Sequence, residues 1–225
     1  METSEISPIE TINVDYFHKG GAGGIDVYCP DPYPLVIECK AGKKIPNNTA
    51  VQLLNLATLR LKNEELVKEV TKLIIGPGKQ TEQLKEAAKV HNMSIINPYT
   101  LEELVKLQAK YPGCIDLLKL KNHLKSGQSD EEVNQYIELV KSEIKERSQI
   151  IAAVKKQQEL GIQYPNVTQI HTTYNTMFAN NINSVMSEEM IRDLLIELSS
   201  PLTGYLGRIK ERNNSECFYF LRDLK

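Results

Sequence analysis

Gly23-Gly24-Ile25-Asp26-Val27 and, a short break later, Val36-Ile37-Glu38-Cys39-Lys40 decide the reading of this chain. Ile25 to Cys29 is a short apolar run. Pro30-Asp31-Pro32-Tyr33-Pro34 is dense in turn formers, and Leu35 to Lys40 has strand character. A connection this short predicts an antiparallel hairpin. A turn centred on Pro32 sets Asp26 opposite Glu38 and Gly24 opposite Lys40. Side chains alternate with period 2 along a strand and opposed residues share a side, so Asp26, Glu38 and Lys40 fall on one face. Leu35, Ile37 and Cys39 are then expected to face the core.

That grouping has a chemical meaning. Two carboxylates within ~5 Å of each other repel unless something positive stands between them. Mg²⁺ suits the place, because it takes one or two carboxylates, water and phosphate oxygens. Such an ion polarises a phosphoryl group and stabilises a leaving oxygen. Lys40 is expected to hold the attacking water or the developing negative charge. Gly20, Gly21, Gly23 and Gly24 put little side-chain bulk beside the site, so a nucleic-acid backbone can approach closely. The bland alternative is a solvated hairpin surface, on which Glu-x-Lys is common.

The pattern Gly-Gly-Ile-Asp followed by Val-Ile-Glu-Cys-Lys resembles the PD-(D/E)XK nuclease superfamily, in particular its restriction-endonuclease-like members of the Mrr and archaeal Holliday-junction-resolvase types. The resemblance covers roughly residues 17 to 107. It implies Asp26 and Glu38 as metal ligands, Lys40 as the catalytic lysine and Gln52, on the helix after the lysine strand, in support. It implies Mg²⁺ as cofactor, with Mn²⁺ as substitute. These nucleases usually open with a full helix carrying another acidic residue; here only Glu10 is available to stand in for it.

The following segments fit an α/β core. Asn47 or Asn48 can cap a helix through Val51, Leu54, Leu59 and Leu61, continued by Glu64 to Val70. Leu73-Ile74-Ile75 reads as a buried strand, Thr81 to Val90 as a helix and Ser94-Ile95-Ile96 as a strand parallel to the previous one. Asn97-Pro98-Tyr99-Thr100 opens a further helix, Leu101 to Gln108, with Thr100 and Glu103 placed for a capping box. The fold class expected is α/β: a mixed-sheet, restriction-endonuclease-like core with a mainly α-helical C-terminal region ending in a β-hairpin.

The chain of 225 residues carries 27 Lys and Arg against 29 Asp and Glu, a formal charge of −2. It is not a globally basic nucleic-acid binder, which leaves any DNA affinity to local basic patches. Lys19, Lys43 and Lys44 flank the hairpin and are candidate phosphate contacts, or else a solvated loop. No run is long enough to span a membrane and the N-terminus is polar, so no membrane partner and a cytoplasmic location are expected. Four cysteines (Cys29, Cys39, Cys114, Cys217) are scattered, as in a reduced protein. The four histidines lack metal-ligand spacing; His18 lies near the glycine loop.

Pro112-Gly113 marks a break, which divides the chain into a nuclease-like domain (1–111) and a helical domain (112–225). Residues 114 to 126 read as helical and Ser126-Gly127-Gln128-Ser129 as a turn. Ser129 or Asp130 then caps a long helix to about Leu160, with Val133, Ile137, Val140, Ile144 and Ile151 along one side. Residues 165–225 give helix, helix and hairpin: Val167 to Asn180, Glu188 to Leu198 capped by Ser187, then strands about Gly204 to Ile209 and Cys217 to Leu221. This order resembles a winged-helix module, in which a helix enters the major groove and the wing touches the backbone. Arg208, Lys210, Arg212 and Arg222 are the candidate phosphate contacts there. The expectation is an Mg²⁺-dependent endonuclease acting on DNA, with homodimerisation through the C-terminal helical region; the alternatives are a catalytically silent DNA-binding protein of the same fold and a protein-interaction scaffold.

Overall fold

The computed structural model describes residues 26–179, 185–210 and 215–224. Their hairpin, β1 (Val27–Cys29) and β2 (Leu35–Cys39), has the register the sequence predicts. Val27 pairs with Ile37, Tyr28 with Val36 and Cys29 with Leu35. Strand β2 runs parallel to β3 (Thr71–Ile75), β3 to β4 (Met93–Ile96) and β4 to β5 (Gly127–Gln128), giving a mixed sheet in the order β1-β2-β3-β4-β5. Between β2 and β3 lie helices α1 (Thr49–Leu61) and α2 (Glu64–Glu69), and between β3 and β4 lies α3 (Glu82–Val90).

The core of this sheet corrects one expectation. Val36 is fully buried and Glu38 is only 6 % exposed, whereas Leu35 and Ile37 are half-buried and Cys39 is exposed. The better-covered side of β2 is therefore the one that carries Glu38. The cause is helix α1, whose Ala50, Leu53 and Ala57 stand on one stripe and join Val36, Ile74, Met93 and Ile95, with Leu84 and Ala88 of α3, in a single apolar cluster. Small residues at two of the three α1 positions let the helix approach the strand closely. Tyr28, opposite Val36, packs on the same cluster, and the Arg60 guanidinium stands 5.2 Å from its ring centre.

Helix α4 (Pro98–Lys110) begins earlier than the sequence suggests. Asn97 is its cap, accepting from the Tyr99 N–H at 3.0 Å, with Pro98 in the first turn. Thr100 lies inside the helix, so it forms no capping box with Glu103; its hydroxyl donates to the Asp130 carboxylate, which also accepts from the Asn97 N–H at 2.8 Å. The helix expected over 114–126 contracts to α5 (Leu117–Lys121), capped by Asp116. The segment expected as a turn, Gly127–Gln128, is strand β5, held by a Ser129 N–H to Ile95 carbonyl bond of 2.9 Å.

Helix α6 (Asp130–Glu159) follows, and the chain divides into two compact units between Ile137 and Glu138, within it. This differs from the break read at Pro112-Gly113, because β5 ties the intervening segment to the first sheet and the Tyr136 hydroxyl bonds the backbone of Asp116. The second unit contains the rest of α6, α7 (Val167–Phe178), α8 (Glu188–Leu198) and the hairpin β6 (Leu206–Lys210) with β7 (Glu216–Phe220). Its core joins Ile150, Ile151 and Val154 of α6 to Ile170, Ile191, Leu195 and Phe218. Asn166 and Gln169 form a capping box for α7, and Ser187 caps α8. Among the described residues, no helix is long and apolar enough to cross a membrane.

Candidate active site

The site predicted on the hairpin comes together at the carboxyl end of β2. Asp26 stands just before β1, one step beyond the Val27–Ile37 pair, and its Oδ2 accepts the Cys39 N–H at 2.7 Å. The Asp26 side chain thus takes a backbone donor of the partner strand just before β1 begins. Lys40 follows β2, anchored by its own N–H to the Ile75 carbonyl at 2.8 Å. Its ammonium reaches back to Glu38 Oε1, an ion pair in which the Lys40 side chain is 22 % exposed.

Glu38 is the unusual member. Its other oxygen, Oε2, is buried and has no hydrogen-bond donor among the described residues. A buried carboxylate oxygen without a donor costs free energy, of order 1–3 kcal/mol or more for a charged group, and such orphans call for a missing ion or water. Two carboxylates, one with an open buried oxygen, are the donor set a hard divalent cation takes when water and phosphate complete its shell. Asp26 and Glu38 are the residues that fit it. Among the described residues no group of three or more His, Cys, Asp or Glu gathers as a metal cage, and Asp26 and Glu38 are the described carboxylates that could hold an ion here. The same carboxylates act on Cys39: incomplete solvation first, then the charges of Asp26 and Glu38, push its thiol pKa up.

The other predicted residues separate into groups. Gln52 sits exposed in the first turn of α1, and its side chain makes no hydrogen bond to Asp26, Glu38 or Lys40. Lys43 and Lys44 are exposed in the loop after β2. Arg208 is held by Glu216 at 3.5 Å, and the same carboxylate takes Arg192 at 3.2 Å. Lys210 is exposed and lines an open groove of about 590 Å³ together with Val167, Glu188, Glu189, Arg192 and Glu216. Arg222 donates to the Gly204 and Thr203 carbonyls, at 3.1 and 2.6 Å. Lys19 and Arg212, with Glu10, His18 and the glycines before Asp26, lie outside the described residues.

Two residues near this edge were missed. Thr49, the first residue of α1, is fully buried with an unpartnered hydroxyl. Lys79 lies in the loop after β3 and pairs with Lys44 across an isolated parallel bridge. Neither carries a local sequence signal; the Gly76-Pro77-Gly78 turn announces only that the chain bends before Lys79. No family model matches the chain, and no curated protein matches its sequence.

Proposed function

We propose that the first unit is a divalent-cation-dependent nuclease of the PD-(D/E)XK type that hydrolyses DNA phosphodiester bonds. The observation that carries this reading is the buried, half-satisfied Glu38 carboxylate, ion-paired to Lys40 at the carboxyl end of a strand where Asp26 accepts the Cys39 N–H. A bound Mg²⁺ or Mn²⁺ would supply Lewis-acid polarisation of the phosphoryl oxygen. Asp26 and Glu38 would hold it. Lys40, tethered to Glu38, keeps a fixed positive charge where a water can be oriented and where the phosphoryl oxygens gain negative charge. Placement at the carboxyl ends of parallel strands agrees with where open α/β sheets present ligand sites.

The test is cleavage of supercoiled plasmid, single-stranded and branched DNA with Mg²⁺ or Mn²⁺, comparing wild type with Lys40→Ala and Asp26→Asn. Metal-dependent cutting that drops by about a hundredfold or more in both variants is expected. Cutting that is absent from wild type, or equal in the variants, would sink the assignment.

A second reading concerns the C-terminal unit. Its order of helix, helix and hairpin supports a winged helix: Asn166 bridges Cys217, and the Phe218 N–H donates to the Pro165 carbonyl at 3.0 Å, adding a third short strand position beside β7. In such a module α8 would enter the major groove. Its outward charged residues are Glu188, Glu189, Arg192, Asp193 and Glu197, an excess of acid that phosphates repel. This favours a protein-binding or dimerising role for the unit, with DNA contact left to the first. Light scattering of the whole chain tests the dimer; a monomer at every concentration would remove it.

A further inference from the structure

We infer that the loops after β2 and β3 form one basic ledge, Lys43, Lys44 and Lys79, that binds the phosphate backbone of the nucleic acid leading to Lys40; the inference rests on the nuclease reading of that edge.

The two loops are joined as a rigid pair. The Lys79 N–H donates to the Lys43 carbonyl at 3.2 Å and the Ile45 N–H to the Lys79 carbonyl at 3.4 Å, making the parallel Lys44–Lys79 bridge. Gly78 permits the approach: a Cβ there would meet the Lys44 backbone at 2.7–2.8 Å, a clash with main chain that no rotamer relieves. Ile45 is buried in the core below, and Asn47 donates to Gln83 at 2.6 Å and accepts from the Thr81 hydroxyl, pinning the far end of the first loop to the start of α3. The ledge therefore stands on fixed backbone rather than on a floating loop.

Its charge is uncompensated among the described residues. Residues 39–63 and 70–81 contain no Asp or Glu, in a chain that has 29 of them. Lys43, Lys44 and Lys79 are exposed, and none forms an ion pair among the described residues, whereas Lys85, Lys106, Lys141, Lys155 and Lys156 are each bound to a carboxylate. The N-terminus of α1, with no acid in the first turn and no side-chain cap from Asn48, adds to the positive potential at the same end of the strands. Lysines without partners in acid-free loops suit a regularly spaced polyanion read by charge alone.

Fluorescence anisotropy of labelled duplex DNA in EDTA, over a series of salt concentrations, tests this without cleavage. Lys43→Ala/Lys44→Ala/Lys79→Ala should weaken binding by more than about tenfold at low salt and reduce the slope of log affinity against log salt by about 2 to 3, near 0.9 for each phosphate no longer neutralised. Lys79→Ala alone should remove about one third of that change. Lys106→Ala/Lys141→Ala, which removes two ion-paired lysines, should leave the slope unchanged. An unchanged slope in the triple variant, or an equal loss in the control pair, overturns the ledge. Thermal melts of each variant separate misfolding from weakened DNA binding. Cleavage that still depends on Lys40 while the triple variant binds as wild type would reject the ledge and keep the nuclease; no DNA binding by wild type would reject both.

Discussion

The carboxyl edge of the first sheet and the α8–hairpin face of the second unit both carry basic residues, yet they use them in opposite ways. On the sheet edge the cations are free: Lys43, Lys44 and Lys79 have no carboxylate partner among the described residues, and of the two acids at this edge, Asp26 and Glu38, the latter is buried with an oxygen to spare. On the other face most cations are spent: Glu216 takes both Arg192 and Arg208, Glu197 takes Arg147 through two bonds of 2.8 and 3.0 Å, and Arg222 is turned onto backbone carbonyls, while Lys210 stays exposed. Counting basic residues makes the two regions alike. Counting partners separates an edge whose lysines are unpartnered among the described residues from a face whose charges mostly hold its own structure.

The contrast can be broken most forcibly at Glu38. A site kept for function is expected to be a liability for stability. Glu38→Leu/Lys40→Met removes a buried carboxylate with an orphan oxygen and its partner together, leaving no unpaired charge. Replacing buried ion pairs with apolar residues is often neutral or stabilising, by about 1–4 kcal/mol. Urea unfolding should show a higher midpoint for the double variant, with cleavage abolished. A fall in midpoint would mean that the pair stabilises the fold, and the edge would then resemble the second unit.

The complementary probe is Gly207, in the second unit. It pairs with Tyr219 across the hairpin, and a Cβ on it would lie 2.0 Å from the Tyr219 ring. The ring covers the glycine and stands edge-on to Tyr164, with centroids 5.9 Å apart. Gly207→Ala should cost about 1–3 kcal/mol through overpacking, with most of that loss recovered in the Gly207→Ala/Tyr219→Ala background relative to Tyr219→Ala. A cost unchanged by removing the ring would show that the strain lies in the backbone. Cleavage should be unaffected if the candidate residues of the first unit carry it.

What the sequence showed of these regions follows from the range of the interactions involved. The hairpin register was legible because the turn formers around Pro32 fix it locally, and α8 was legible from Ser187 to Leu198 because cap and apolar stripe coincide. The burial of Glu38 was not legible: alternation tells which residues share a face, while only the placement of α1 decides which face is covered. A two-residue strand such as β5 carries no periodicity, and it is made by β4 beside it. Lys79 joined the site through a backbone bridge to a residue far off in sequence, and the pairing of Arg208 required knowing where Glu216 would fall. Gln52 stood on the expected helix, and its exposure in the first turn could not be read from α1's own pattern.

The smallest expected effect is a chemical one, and it reports on the cation without any cleavage. Cys39 lies between Glu38 and Lys40, and its thiol pKa is raised first by incomplete solvation and then by the charges of Asp26 and Glu38. A divalent ion bound to those carboxylates cancels the second contribution and leaves the first, so the pKa falls part of the way back and the thiolate fraction at pH 8 rises. Alkylation goes through the thiolate, and a full pKa unit would be worth tenfold. Because solvation is the larger cause, iodoacetamide should modify Cys39 faster by about twofold to fivefold in Mg²⁺ than in Na⁺ at equal ionic strength. Cys29 and Cys114, followed by peptide mapping in the same sample, should hold their rates. Asp26→Asn should speed Cys39 alkylation without metal and blunt the response to Mg²⁺. A Cys39 rate that ignores Mg²⁺ in the wild type would show that no cation settles between the two carboxylates, and the orphan oxygen of Glu38 would then need another partner.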